Sequence, residues 1–240
     1  MINTLKIQRN IFYNIALIAF FIFSTISLTN CGSAEFKGTT ITSGQNIPSF
    51  NLVDQYNNSV QNEDFKNRIL VLTFLYSNCK EECKVIVPKI SKVQSTLLDQ
   101  YPEISKKMTF ISISVDPTND IPENTYKYMQ LNNKEPNWQS TPPQANWVFL
   151  SGDLKTLEAI WNHYGIAADA AIIDQGSVID VIAQKTMLDI YADKDTLPLY
   201  KIDHSLPIYL IDMSGTTRVV FNDLKIDTQD LIHDILLLAK

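Results

Sequence analysis

The apolar run Ile69–Tyr76 (ILVLTFLY) constrains the fold more than any other stretch of this sequence. A continuous run rich in β-branched and aromatic residues predicts a strand that is buried on both faces. A short polar break, Ser77-Asn78, separates it from Cys79, Cys83 and a helix-like pattern to about Leu98. The cysteines are therefore predicted where a buried strand passes into a helix. Backbone N–H groups are unpaired there and the helix dipole favours an ionised thiol.

The spacing of the two cysteines is C-x-x-x-C. Residues at i and i+4 of a helix have Cβ atoms about 5–6 Å apart, whereas an unstrained disulfide needs roughly 3.5–4.5 Å. Two thiolates on one metal ion such as zinc lie roughly 4 Å apart. The pair therefore suits a soft metal ion without adjustment, and it closes a disulfide only if Cys79 lies in the loop before the helix. The intervening segment 80–82 (Lys-Glu-Glu) should face water, which argues against two buried structural cysteines.

The N-terminal segment has the features of an export signal. Lys6 and Arg9 precede Ile11–Leu28, which contains no charged residue. The sequence Leu28-Thr29-Asn30-Cys31, followed by small residues, resembles a bacterial lipoprotein signal. That resemblance implies cleavage before Cys31 and lipidation of its sulfur, although Asn30 departs from the usual small residue. The alternative is an uncleaved membrane anchor, because the apolar run is about long enough to span a bilayer.

Length and charge limit the remaining possibilities. A chain of 240 residues accommodates a leader and one domain with a proper core. The net charge of −6, without a basic block, argues against nucleic-acid binding. We divide the chain into a lipoprotein signal peptide (1–30), a lipidated flexible tether (31–46) and a folded domain (47–240). If Cys31 is lipidated, the remaining cysteines form a single pair.

The order of the predicted elements indicates a three-layer α/β domain with a mixed sheet. Asp120-x-x-Glu123, with Pro122 in the first turn, predicts a capping box at the start of the second helix. Residues 165–200 are predicted to form a long, poorly patterned insertion. Strands are predicted at 48–54, 59–60, 69–76, 107–115, 147–150, 206–212 and 217–221, and helices at 83–98, 120–131, 153–164 and 228–238.

Four short motifs are spread over the predicted domain. They are Phe50-x-Leu52-x-Asp54-Gln55, Phe74-x-Tyr76-x-x-Cys79-x-x-x-Cys83, Ile113-Ser114-Val115-Asp116-Pro117, and Asp203-His204-Ser205 followed by Tyr209-Leu210-Ile211-Asp212. In combination they resemble the SCO/SenC family of thioredoxin-fold copper proteins. The resemblance implies a thioredoxin-like fold with an N-terminal β-hairpin. Lys80 and Lys84 stand where the family usually has proline, and segments 132–146 and 165–200 look longer than usual.

The resemblance also implies a function and a set of site residues. Copper, as Cu(I) or Cu(II), would be bound by Cys79, Cys83 and His204, a combination of thiolate and imidazole that suits this metal. The family's role implies assembly of the dinuclear copper centre of cytochrome c oxidase, with subunit II or another copper protein as the client. Asp116 and Asp203 are candidates for shaping the site from outside the ligand set. The alternative for Asp116 is a turn residue before Pro117. The alternative for Asp203 is a residue that simply ends a strand.

The other histidines and the methionines are expected to be structural. His163 is predicted at a helix end, where it would contact terminal carbonyl groups, and His233 is predicted on the outer face of the last helix. Met187 and Met213 are expected to fill gaps rather than bind metal.

A second function class remains open. A membrane-anchored thiol–disulfide oxidoreductase that reduces the cysteines of a copper-protein client would need only Cys79 and Cys83. Because His204 lies in the D-H-S context, the first choice is a copper metallochaperone that is not an enzyme. A monomer is expected, held by its lipid anchor in the bacterial cell envelope, on the periplasmic side of a membrane.

Overall fold

The structure is a computed structural model that describes residues 35–79, 82–134, 146–174, 177–178, 200–222 and 224–240. The strands are β1 (Thr39–Thr40), β2 (Asn51–Val53), β3 (Ser59–Gln61), β4 (Ile69–Leu75), β5 (Met108–Ser114), β6 (Asn146–Leu150), β7 (Ala168–Asp174), β8 (Ser177–Val178), β9 (Tyr200–His204), β10 (Ile208–Ile211) and β11 (Thr217–Phe221). The helices are α1 (Cys83–Gln100), α2 (Pro102–Ser105), α3 (Pro122–Asn132), α4 (Leu154–Tyr164) and α5 (Thr228–Leu238), with a 3₁₀ turn at Asn62–Phe65.

The predicted buried strand is the centre of a six-stranded mixed sheet. Every residue of β4 is buried, and the strand order is β1-β11-β10-β4-β5-β6. Strands β4, β5 and β6 run parallel, whereas β10 is antiparallel to β4 and β11 is antiparallel to β10. Strands β2 and β3 form the predicted antiparallel hairpin. The α/β fold with a mixed sheet and an N-terminal hairpin is therefore confirmed.

Alternate residues of β4 enter two different cores, as expected for a strand covered on both faces. Val71 and Leu75 pack in a cluster with α1 and α5. Leu72 and Phe74 pack in a second cluster with α4 and the β2–β3 hairpin. The arrangement is helix, sheet, helix, which is the predicted three-layer order. Cys79 lies just beyond the end of β4 and contacts both clusters.

Part of the predicted flexible tether is folded. Phe36 packs against the first core, and β1 pairs with β11. The Lys37 and Gly38 N–H groups donate to the buried Asp234 carboxylate at 2.9 Å. The compact unit spans Phe36–Lys240, so the prediction of a domain that begins at residue 47 was wrong for 36–46. Residues 36–46 hold few large apolar side chains, and their attachment through backbone hydrogen bonds leaves no pattern in a sequence.

The predicted insertion is also more regular than its sequence indicates. Strand β7 pairs with β9 in antiparallel register, with Ala168 opposite His204, and β8 pairs with β7. Prediction of an unpatterned segment was therefore wrong where the structure describes it. The predicted signal peptide, Cys31, Lys80 and Met187 lie outside the described residues. Among the helices that the structure describes, none is both long and apolar enough to cross a bilayer.

Candidate metal centre

The two cysteines lie where the sequence predicted them. The chain leaves β4 in a tight turn in which the Cys79 N–H donates to the Tyr76 carbonyl at 3.2 Å, and α1 begins at Cys83. Cys79 thus precedes the helix, which is the condition set above for a disulfide. The two residues are joined by a disulfide bond, with Cα atoms 5.8 Å apart. Cys83 is only 4% exposed, whereas Cys79 is half-buried.

Strand β9 brings His204 to the cysteines. The donor atoms of Cys79, Cys83 and His204 all lie within 4.8 Å of one another. His204 Nδ1 is 3.0 Å from the Ser205 carbonyl oxygen. A carbonyl only accepts, so Nδ1 carries the hydrogen in the neutral ring and the lone pair is on Nε2.

The Nε2 atom of His204 is buried and has no hydrogen-bond partner among the described residues. A buried acceptor without a partner is costly, so its position next to two sulfur atoms calls for a ligand. Burial lowers the pKa of His204 below its ordinary value, against smaller opposing effects of the Ser205 carbonyl and of Glu82 and Asp203. The ring is therefore neutral at pH 7, as metal binding requires.

Tyr76 connects the cysteine turn to the histidine strand, and sequence reasoning missed this role. Its hydroxyl donates to the Ile202 carbonyl in β9 at 3.2 Å. Its ring meets the His204 ring edge-on, with centroids 5.5 Å apart. The motif Phe74-x-Tyr76 contained the signal, because a tyrosine at the end of a buried strand needs a partner for its hydroxyl.

Asp120 does not cap α3, the helix at whose start a capping box was predicted. The N-cap of α3 is Ile121, which provides no side-chain cap, so the predicted capping box was wrong. Asp120 is 1% exposed and accepts from the Ser77 N–H at 2.8 Å and from the Ser114 hydroxyl at 2.6 Å. Burial raises the pKa of Asp120 to about 7, although the hydrogen bonds from Ser114 and Ser77 lower it. The nearby Asp116 charge also raises the pKa, by a smaller amount. This carboxyl group holds the strand end that leads into Cys79.

The two acidic residues proposed around the site lie in different surroundings. Asp116 is fully buried and accepts from Asn119 Nδ2 at 3.0 Å, and its carbonyl accepts the Asn119 and Asp120 N–H groups. It therefore closes the turn that brings Asp120 to Ser77. Asp203 is exposed, and the partner of His204 Nδ1 is the Ser205 carbonyl rather than Asp203.

The remaining candidates lie elsewhere. His163 is in the last turn of α4, and His233 Nδ1 is 2.8 Å from Asp234 in α5. Met213 is in the turn between β10 and β11 and is partly exposed. Trp147 and Trp161 are core residues. In the part of the chain that the structure describes, the cluster of three metal-ligating groups consists of Cys79, Cys83 and His204.

The donor set fits a soft metal ion. Two sulfurs and one imidazole nitrogen suit Cu(I), and the nitrogen also supports Cu(II). The disulfide offers no thiolate, so the cluster acquires its metal-binding form only when two electrons and two protons convert the bond to two thiols.

The fold and the site together define a thioredoxin-like α/β domain with a Cys–Cys–His cluster at the end of its central strand. A family model described as SCO1/SenC matches residues 39–240. The chain therefore belongs to the SCO1/SenC family. No relative of the chain was found among curated proteins.

Solved structures of this family share the fold. ScoI of Bradyrhizobium japonicum with copper bound has 20% sequence identity to this chain and a TM-score of 0.54. The match covers 80% of this chain and 98% of the ScoI chain. A SCO1/SenC family lipoprotein from Bacillus anthracis str. Ames is 21% identical, with coverages of 83% and 99% and a TM-score of 0.59. BsSco, described with a disulfide switch and as a member of the Sco family of cytochrome c oxidase assembly proteins, is 18% identical, with coverages of 82% and 94% and a TM-score of 0.55.

Proposed function

We propose that this protein binds copper through Cys79, Cys83 and His204 and delivers it to the dinuclear copper centre of cytochrome c oxidase. One observation carries the proposal: three donor atoms lie within 4.8 Å of one another, and the buried His204 Nε2 has no other partner among the described residues. Membership of the SCO1/SenC family supports it. So does the copper present in the ScoI structure and the assembly role stated for the family of BsSco.

The residues of this chain prepare the site in a defined order. Reduction of the Cys79–Cys83 bond by two electrons and two protons yields two thiols. Their sulfurs lose these protons when they bind copper, and position at the start of α1 favours the thiolate. His204 needs no deprotonation, because burial already favours its neutral form. The imidazole completes a three-ligand site, with the ring held by the Ser205 carbonyl and by Tyr76.

The two sulfurs differ in access, and this difference gives a direction to copper transfer. Cys83 is 4% exposed and packs in the first core. Cys79 is half-buried in the preceding turn. A client ligand that replaces the protein's own ligands one at a time would therefore reach the copper on the side of Cys79, and Cys83 would release it last.

The test is an anaerobic titration of the reduced full-length protein, in detergent, with Cu(I) and with Cu(II). His204→Ala should weaken copper binding by about tenfold or more. The loss should be larger for Cu(II), which prefers nitrogen ligands more than Cu(I) does. His163→Ala is the matched control, because it removes a histidine outside the cluster, and it should bind like the parent. If His204→Ala binds both copper states like the parent and supports oxidase assembly in cells, the copper assignment is wrong.

A second candidate rests on the disulfide itself. As a thiol–disulfide oxidoreductase, the reduced Cys79–Cys83 pair would give two electrons and two protons to a client disulfide and become oxidised, and a cellular dithiol reductant would restore it. This activity would survive His204→Ala and be lost on replacement of Cys79 or Cys83. A variant His204→Ala that reduces a client at the parent's rate but no longer supports oxidase assembly would assign assembly to copper binding.

The membrane attachment is proposed on the sequence alone. Lipidation of Cys31 after removal of residues 1–30 would hold the domain on the periplasmic side of a bacterial membrane. Mass spectrometry of the mature N-terminus should find a lipid-modified Cys31. An unmodified chain that retains Met1 would overturn this proposal.

A further inference from the structure

A buried carboxyl group holds the backbone that leads to Cys79. Asp120 Oδ1 accepts the Ser77 N–H at 2.8 Å, and Oδ2 accepts the Ser114 hydroxyl at 2.6 Å. Ser114 is the last residue of β5, which is parallel to β4. Asp120 thus connects the end of β5 to Ser77, which follows β4. Ser77 is two residues before Cys79, whose sulfur is in the cluster.

Several described contacts hold this turn besides the Ser77–Asp120 bond. The Tyr76 hydroxyl donates to the Ile202 carbonyl, Cys79 is joined to Cys83, and Cys79 packs on both cores. The described backbone bond of the turn is the one from the Cys79 N–H to the Tyr76 carbonyl, at 3.2 Å. Residues 77 and 78 belong to no helix or strand. Among the described contacts, the Ser77–Asp120 bond holds the backbone at the point where the chain leaves β4, two residues before Cys79.

Burial of this carboxyl group is costly, so its placement needs a reason. Asp120 is 1% exposed, and burial raises its pKa to about 7. A carboxyl group is kept in the interior at this cost where it accepts from buried donors. Here the adjacent turn is closed by Asp116, which leaves Asp120 to act across the sheet on Ser77.

We propose that Asp120 is a positioning residue for Cys79, because its hydrogen bond to the Ser77 N–H holds the turn in the arrangement in which both sulfurs and His204 converge. The inference rests on the proposed copper function for one of its two readouts. The other readout is the Cys79–Cys83 couple, which needs no copper.

The test compares Asp120→Asn and Asp120→Ala in the full-length protein. Asparagine keeps the shape of the side chain but has one acceptor oxygen, so it cannot accept from both Ser77 and Ser114. Alanine has no acceptor. We expect Cu(I) affinity to fall about threefold in Asp120→Asn and about tenfold in Asp120→Ala, with a shifted Cu(II)–thiolate absorption band.

The copper-independent readout is equilibrium with glutathione. Oxidised glutathione takes two electrons and two protons from the Cys79–Cys83 dithiol, which gives the protein disulfide and two reduced glutathiones. A looser turn brings the sulfurs together less often, so the equilibrium constant for disulfide formation should fall about threefold in Asp120→Ala.

Asp234 provides the matched control for general stability. It is another fully buried carboxylate that accepts backbone N–H groups, from Lys37 and Gly38, and it lies in α5. Asp234→Asn and Asp234→Ala should lower the unfolding midpoint in urea. They should leave both copper affinity and the glutathione equilibrium within about twofold of the parent, a margin smaller than one hydrogen bond.

The outcomes separate this inference from the proposed function. Folded Asp120 variants that match the parent in both readouts would overturn it, as would Asp234 variants that lose as much as the Asp120 variants. If Asp120→Ala does not fold, Asp120→Asn decides alone. If the parent itself binds no copper, the proposed function fails, and the glutathione equilibrium still decides the role of Asp120.

Discussion

The ring of Tyr76 stands nearly perpendicular to that of His204, with their centroids 5.5 Å apart and an interplanar angle of 71°. The Tyr76 hydroxyl donates to Ile202, two residues before the histidine. Three residues after Tyr76 the chain reaches Cys79, whose N–H returns to the Tyr76 carbonyl. The Tyr76 side chain therefore links the end of β4, which leads to Cys79, to β9, which carries His204.

This link predicts the behaviour of Tyr76→Phe. The variant keeps the ring against His204 but loses the hydroxyl bond to β9, which costs about 1 kcal/mol of stability. Because β9 is then held less firmly, we expect Cu(II) affinity to fall about two- to fivefold. The Cys79–Cys83 couple should be unchanged. Anaerobic copper titration and glutathione equilibration measure the two properties.

Tyr209→Phe is the matched control for the loss of a hydroxyl. Tyr209 donates to the Tyr164 carbonyl at 2.6 Å, within the same core, and its ring contacts Phe74 and Tyr164. This variant should lose similar stability while it keeps the parent's copper affinity. Equal copper losses in the two variants would show that core stability, and not the position of His204, is responsible.

Regular patterns made most of the fold predictable. The buried run of β4, the period of α1 and the spacing of Cys79 and Cys83 are local properties of the sequence, and the structure has them where expected. His204 could be proposed only from the D-H-S context within a family resemblance. It is distant from the cysteines in sequence and lies in β9, which pairs with β7 and accepts a hydrogen bond from the Tyr76 hydroxyl at the Ile202 carbonyl.

Two of the errors, those at Asp120 and at residues 36–46, share one physical cause. Asp120 matches a capping motif in the sequence, but its carboxyl group turns into the protein because Ser77 and Ser114 offer donors there. Residues 36–46 match a flexible tether, but the buried Asp234 accepts from the N–H groups of Lys37 and Gly38 at its start. In both cases a carboxylate bonds a distant N–H group, and such contacts follow from tertiary structure rather than from local composition.

The folded N-terminal segment predicts a clear effect of truncation. A protein that begins at residue 47 lacks the β1–β11 pairing and leaves the Asp234 carboxylate without the Lys37 and Gly38 donors. A buried acceptor without its donors costs about 1–3 kcal/mol, and the lost strand pairing and apolar contacts of Phe36 add to that. Urea unfolding should give a stability at least about 2 kcal/mol below that of a protein beginning at residue 36.

Gly38→Ala tests the same contact without a truncation. A Cβ atom at Gly38 would lie 2.5 Å from Val219 Cγ1 and 2.8 Å from the Phe221 ring. The methyl group should therefore force the segment off the sheet and cost about 1–3 kcal/mol. If Gly38→Ala and the protein that begins at residue 47 are both as stable as the protein that begins at residue 36, residues 36–46 do not contribute to the folded unit.

The disulfide predicts that copper binding depends on the redox state. At the cluster, the oxidised form offers the His204 imidazole but no thiolate, because the sulfurs of Cys79 and Cys83 are bonded to each other. Only the reduced protein should bind one copper per chain tightly. Equilibrium dialysis of the two forms against the same copper solution measures the difference. Tight binding of one copper by the oxidised form would exclude the two thiolates as necessary ligands.

The raised pKa of Asp120 predicts how stability changes with pH. In the native protein the pKa is about 7, against an ordinary value of 3.8. Between these two values the native protein holds a proton that the unfolded chain has released. Stability from this group is therefore complete below about pH 4 and is lost as the pH rises towards 7, by at most about 1.4 kcal/mol per pH unit.

Asp120→Asn isolates this contribution, because the amide does not titrate. Urea unfolding of the oxidised parent and the variant from pH 4 to 8 gives the difference between their stabilities at each pH. Relative to the variant, the parent should lose stability as the pH rises from 4 to 7 and then remain level. His204 has the opposite effect: its lowered pKa costs stability as the pH falls. Both proteins contain His204, so its effect cancels in the difference. Parallel curves for the two proteins would show that Asp120 titrates in the native protein as it does in the unfolded chain.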